Sequence, residues 1–203
     1  MQILHRFAGT IQQYLAQISD PDLYRPDHCP LCHAKHPLIA RGFYSRTLVD
    51  LEFDDFIPVR RYLCDICRRT VSLLPEFALP YLRFSISIIS LFLVARLLDD
   101  RTLKAAAAAA SQPDMPYQRG QFWIRRFRMQ AVALCGALVA LTAAITAASF
   151  TSRALHMLQS IGWIAAHRFL LAQLRTHLLG WPRFLAADGL PVKLRPAFVR
   201  PDT

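Results

Sequence analysis

The chain has 203 residues, a net charge of +10 and 54% apolar residues. That apolar content excludes a disordered chain, and the length leaves room for one or two small domains. The charge is lopsided: residues 1–76 carry nine Lys or Arg against nine Asp or Glu, and residues 77–203 carry fifteen against five. Arg outnumbers Lys throughout, which favours two-pronged contacts to phosphates or bases and points to a polyanionic partner.

In chain order, the spacing of Ile11, Tyr14, Leu15 and Ile18 predicts an amphipathic helix over residues 1–19. Pro21 ends it by disfavouring helix in the residue before it. Residues 1–26 are therefore read as a helix and linker, the helix packed on the cysteine-bearing unit that begins at residue 27.

Cys29-Pro-Leu-Cys32 and Cys64-Asp-Ile-Cys67 are separated by thirty-one residues. Two Cys-x-x-Cys turns present four soft thiolates, the donor set of a tetrahedral structural zinc site. The two strand-like runs between them, 38–48 and 56–63, flank the acidic stretch 50–55 and complete the plan of a zinc ribbon. Gly42 lies early in the first strand, and Pro58 inside the second predicts a bulge or an edge. A disulfide scheme would leave the fifth cysteine, Cys135, without a partner, and a redox Cys-x-x-Cys does not come twice. His28, His33 and His36 crowd the first pair as alternative ligands, but Cys29, Cys32, Cys64 and Cys67 already close a site with no open position for catalysis. Arg41, Arg46, Arg60, Arg61, Arg68 and Arg69 form a basic rim, set either against phosphates or against Asp50, Glu52, Asp54 and Asp55.

The prolines in 73–81 predict an ordered connector, closing a ribbon unit of residues 27–81. Three helices come next. The first, 85–98, is apolar over most of its surface. The second is capped by Thr102 and runs through six alanines to Ser111. After the break at 112–116, the third starts near Tyr117. A thin helix, a turn and an arginine-rich helix match a helix-turn-helix over residues 82–130. Tyr117, Gln118, Arg119 and Gln121 fall where a recognition helix meets base edges, and Arg125, Arg126 and Arg128 fall where phosphates lie. Phe122, Trp123 and Phe127 are assigned to the core. Residues 131–150 hold no charge and reach the length of a membrane span, yet eight are alanine, so a buried or interface helix is preferred. A last helix is predicted over 152–179, stopped at 180–182, with a loosely held tail over 184–203; residues 131–203 form the C-terminal helical region.

Cys29-Pro-x-Cys32, Arg41-Gly-Phe-Tyr-Ser-Arg46, Ile57-Pro-Val-Arg-Arg-Tyr-Leu-Cys64, Cys67-Arg-Arg-Thr-Val-Ser72 and the Leu74-Pro75 to Pro80-Tyr81 segment resemble a family of bacterial zinc-ribbon proteins. Its members are uncharacterised domains linked to insertion elements, and similar ribbons precede the helix-turn-helix of several transposases. Trp123-Ile-Arg-Arg-Phe127 looks like the signature ending such a recognition helix. The resemblance covers about residues 27–130 and implies DNA binding in a mobile-element setting, without catalysis. After Glu76 the chain offers only Asp99, Asp100, Asp114, Asp188 and Asp202, with no βαβ pattern around them to build a nuclease of the RNase H type.

The expectation is thus a mainly α protein with a small N-terminal β zinc ribbon and a helix-turn-helix domain. It is a non-enzymatic cytoplasmic protein with structural zinc and double-stranded DNA as partner. A transposase or recombinase and a second copy of the chain are further candidate partners; no small-molecule substrate is expected. Two other readings stay open: an adaptor that docks a transposase, and a regulator anchored in a membrane through 131–150.

Overall fold

The computed structural model describes residues 2–180 except 8, 21, 144 and 175. The expected tail and the stop at 181–182 lie outside these residues. The fold is mixed α/β and not mainly α. Its four-stranded sheet is made of β1 (Gln2–His5), β2 (Ile39–Asp50), β3 (Phe53–Leu63) and β4 (Thr70–Pro75), in the order β1-β4-β3-β2. Only the β1–β4 pair is parallel; the others are antiparallel.

Two strands account for the difference from the expected small ribbon. Residues expected to start a helix form β1, and α1 (Ile11–Gln17) begins only after Thr10. The Thr10 side chain accepts from the Gln13 N–H and the Gln13 side chain accepts from the Thr10 N–H, a capping box that sets the helix start. The first three residues of the expected proline connector, 73–75, belong to β4, in which Val71, Leu73 and Leu74 are buried. Pro75 sits at its end, beside His5 of β1, where a missing N–H does little harm.

The long hairpin β2–β3 turns on Leu51 and Glu52 alone, so most of the acidic stretch lies in strands. Its register shifts between Ala40 and Phe43, around Gly42 at φ +75°. This is the bulge that glycine permits. Pro58 lies outside the stretch of β3 that pairs with β4, Arg61–Leu63, and its carbonyl accepts from the Tyr14 hydroxyl at 2.7 Å. Helix α1 lays Ile11, Tyr14 and Ile18 on Leu48, Ile57, Val59 and Leu74. Arg60 is buried beneath it, donating to the Ile18 and Ser19 carbonyls at 3.0 and 2.6 Å. A cation there meets the negative end of the helix.

The hairpin tip is spliced to the helical layer. Val49 N–H donates to the Arg83 carbonyl and Ser85 N–H to the Val49 carbonyl, at 2.7 and 2.8 Å. Ser85 also caps α2 (Ile86–Leu97) and donates its hydroxyl to Asp50. Helix α3 (Leu103–Ala109) starts at its cap, Thr102, and α4 runs Tyr117–Leu138. Gly120 of α4 faces Phe92 of α2 so closely that an added Cβ would lie 2.7 Å from the ring. Glycine weakens the helix in isolation but permits this crossing. Trp123 is fully buried, edge-on to Phe84 and Phe92.

The uncharged stretch 131–150 is not one helix. Helix α4 ends at Leu138, and α5 (Phe150–Ile161) starts from a Ser149 cap. The expected last helix breaks at Gly162, φ +89°, into α5 and α6 (Trp163–Leu174). Among the described residues no helix is long and apolar enough to cross a membrane. Arg168 of α6 reaches buried Glu76 through Nε and Nη2, at 2.8 and 2.5 Å, tying the last helix to the end of β4.

Burial lowers the pKa of His5, His167 and His177 from 6.5 to about 4, 4 and 3, with His167 and Arg126 adding repulsion at His177. These rings stay neutral in the fold, while an unfolded chain protonates them below about pH 6.5. Their contribution to stability is therefore complete above pH 6.5 and is lost as pH falls toward 4, by about 1.4 kcal/mol per pH unit for each ring. Urea midpoints measured from pH 7.5 to 5 should fall, and His5→Phe should flatten the slope by one ring's share. A slope unchanged by His5→Phe contradicts this assignment.

Candidate metal centre and nucleic-acid interface

The two cysteine turns are built alike. In each, the first cysteine's N–H donates to the carbonyl five residues on, Cys29 to Ala34 and Cys64 to Arg69, both at 3.0 Å. In each, the residue four positions on has a left-handed backbone, His33 at φ 61° and Arg68 at φ 57°. Backbone N–H groups point at sulfur: Leu31 to Cys29 Sγ at 3.4 Å and Cys67 to Cys64 Sγ at 3.5 Å. The first turn enters β2 and the second joins β3 to β4, so the sheet holds the turns face to face.

All four Sγ atoms lie within 4.8 Å of one another. Cys29 and Cys67 are 3.8 Å apart, and Cys32 and Cys64 3.7 Å. A tetrahedron with metal–sulfur bonds of about 2.3 Å has edges of about 3.8 Å. The four thiols can therefore hold a metal ion. Cys29 and Cys64 are buried and Cys32 is exposed. The Cys64 thiol is lowered to about 6, first by the Cys67 N–H and further by His36, which favours the thiolate a metal binds.

Of the three histidines near the first pair, His28 is exposed beside Asp27 and His33 is exposed. His36 is brought to the centre, its Nε2 3.4 Å from Cys64 Sγ and 3.1 Å from Asp65 Oδ1. The Cys64 sulfur is the largest cause of its raised pKa. Asp65 escaped sequence reasoning. Its one signal was its place between the paired cysteines.

The basic rim divides. Arg46 turns inward and donates to the Leu79 and Leu82 carbonyls, and Arg60 is the buried cation under α1. Arg41, Arg68 and Arg69 are exposed and Arg61 is half-buried. The acids at the tip are engaged elsewhere: Asp54 with Arg83 at 3.2 Å, and Asp50 with Ser85.

On α4, Gly120, Trp123, Ile124, Phe127, Ala131, Leu134, Cys135 and Leu138 are buried, and Phe122 is half-buried against the same core. Tyr117, Gln118, Arg119, Gln121, Arg125 and Arg128 are exposed. Gln121 Nε2 donates to the Tyr117 hydroxyl at 2.9 Å, and the Arg119 guanidinium lies 5.9 Å from the Phe84 ring centre. Arg126 departs from its expected place on phosphate. It is half-buried, its Nε donating to the Leu179 carbonyl at 2.9 Å. Asp99 and Asp100 form ion pairs with Arg101 and Arg96.

Replacing any of Cys29, Cys32, Cys64 or Cys67 by serine should reduce bound metal from one ion per chain to well below one. Cys135→Ser should leave it unchanged, since Cys135 lies apart and its sulfur donates to the Phe150 carbonyl. Elemental mass spectrometry of the purified proteins reads both.

Residues 29–112 match a family model described as a domain of unknown function, DUF6431. The match opens on the first metal-site cysteine and ends past α3, so the exposed face of α4 lies beyond it. No curated protein and no solved structure matches the chain.

Proposed function

We propose that this is a zinc-stabilised, non-catalytic protein that binds double-stranded DNA through α4, acting as an accessory or regulator of a mobile element. The observation that carries the reading is one helix face. Gln118, Gln121, Arg125 and Arg128 recur at intervals of three, four and three on the side of α4 opposite its buried residues. Ten residues of helix extend about 15 Å, a reach suited to the major groove. No acidic residue occurs between Asp114 and Asp188, so no carboxylate on α4 competes for these cations.

In this reading Gln118 and Gln121, with Tyr117 and Arg119, meet base edges while Arg125 and Arg128 neutralise phosphates. Helix α3 precedes the turn as a thin support. Zinc is the metal because four thiolates at tetrahedral spacing suit it and leave no open position. Reduced thiols of this kind belong in a reducing compartment such as the cytoplasm. The resemblance of the cysteine turns and of Trp123–Phe127 to insertion-element proteins supports the mobile-element setting. One observation favours an adaptor or a dimer instead: Met129 and Val132 continue the α4 face with 58% and 61% exposure.

Metal-loaded protein should bind random-sequence duplex DNA with a steep salt dependence, and selection should enrich a motif. Arg125→Ala and Arg128→Ala should each reduce the salt slope by about 1. Gln118→Ala and Gln121→Ala should relax the motif at similar slope. Arg126→Ala should lower thermal stability instead. Absence of binding at low salt refutes the proposal and brings the adaptor reading forward.

A further inference from the structure

Beside the four thiols, a second set of donor atoms converges. His36 Nε2, Cys64 Sγ and Asp65 Oδ1 lie within 4.8 Å of one another. The nitrogen is 3.4 Å from the sulfur and 3.1 Å from the carboxylate oxygen. The ring's other nitrogen, Nδ1, lies 3.0 Å from the Pro37 carbonyl. A carbonyl only accepts, so Nδ1 carries a hydrogen; when the ring is neutral its lone pair is then on Nε2, facing the sulfur and the carboxylate. Metal-binding histidines are held in this way, by a carbonyl on the far nitrogen.

Three lone pairs facing one another repel unless a cation sits among them. That cation is a proton or a metal ion. Around a tetrahedral divalent ion with bonds of about 2.0–2.3 Å, a nitrogen–sulfur edge is about 3.5 Å and a nitrogen–oxygen edge about 3.3 Å. The observed separations are close to both. Exposure adds a direction. The Asp65 side chain is 50% exposed and that of His36 23%, whereas Cys29 and Cys64 are buried. An ion arriving from solvent therefore meets the carboxylate, the imidazole and the exposed Cys32 sulfur before the buried sulfurs of Cys29 and Cys64.

We propose that His36, Asp65 and Cys64 form a second metal position at the surface, a loading site for a divalent transition-metal ion. From it the ion passes into the four-thiol centre, with Cys64 as the ligand common to both. This rests on the reading of the four cysteines as a metal centre. In the transfer, bonds from the ion to Cys29, Cys32 and Cys67 form as those to His36 Nε2 and Asp65 Oδ1 break. Each thiol that binds releases its proton to water, and the ion keeps its oxidation state.

The test mixes reduced, metal-stripped full-length protein with Co2+ in a stopped-flow absorbance experiment. The wild type should pass through an early species with weak thiolate-to-cobalt absorption before the intense four-thiolate spectrum develops. His36→Asn and Asp65→Asn should each reach the same final spectrum, but with association slowed by about tenfold or more. Association within about twofold of wild type in both variants overturns the loading site and leaves a proton between these groups. A changed final spectrum in His36→Asn overturns it too, because His36 is then a ligand of the final centre. A wild type that never develops the four-thiolate spectrum refutes the metal centre itself, and is told apart by Cys29→Ser having no effect.

Discussion

The fold depends on four sulfur atoms meeting at one point. Each cysteine turn is short and held by its own backbone bonds, yet the two are separated by thirty-one residues and have only a small apolar cluster around them, chiefly Leu38, Tyr62, Val71 and Leu73. The four thiols can hold one ion, which would join the turns at a single position. That junction sets the open end of the β2–β3 hairpin and directs the chain from β3 into β4, so that β1 can add alongside. Twelve residues of β2 at about 3.3 Å each carry the hairpin roughly 40 Å from the metal end. At the far end, Val49 and Asp50 bind the chain entering α2. The hairpin thus connects the metal end to the helical layer.

That second end explains the buried arginines. A long two-stranded ribbon is floppy unless something holds its faces. Arg46 fixes the segment after β4 through two carbonyls, and Arg60 fixes the C-terminus of α1. Both cations do inside the molecule what a basic rim would do with phosphate. Arg126 repeats the pattern at the Leu179 carbonyl. Among the exposed arginines that remain, Arg41, Arg68 and Arg69 lie at the metal end of the sheet, and Arg119, Arg125 and Arg128 lie on α4. Sheet rim and helix face are therefore distinct candidates for contact with a polyanion.

Much of the site was legible in the sequence, because its signals are local. The paired cysteines, the Thr102 cap and the alternation of buried and polar positions from Tyr117 to Phe127 each depend on neighbours a few residues away. What was hidden depends on distant partners. Residues 2–5 are too short to announce a strand, and they become one only where β4 offers an edge. Residues 73–75 look like the start of a proline connector until β3 and β1 flank the strand that they end. Arg46, Arg60 and Arg126 read as surface charge because nothing nearby shows that carbonyls from other segments wait for them. Alanine richness over 131–150 gave no sign of the break after Leu138, since helix propensity alone would carry α4 onward. Gly120, which weakens α4 in isolation, is its close contact with Phe92 of α2.

In the proposed reading the sheet carries structure and α4 carries recognition. Arginine-selective chemical modification of metal-loaded full-length protein, free and saturated with duplex DNA, tests that division residue by residue when read by mass spectrometry. The division predicts that DNA shields Arg125 and Arg128 while Arg41, Arg68 and Arg69 keep their reactivity. Shielding of Arg68 and Arg69 with Arg125 and Arg128 unchanged would contradict it and move the recognition surface to the metal end.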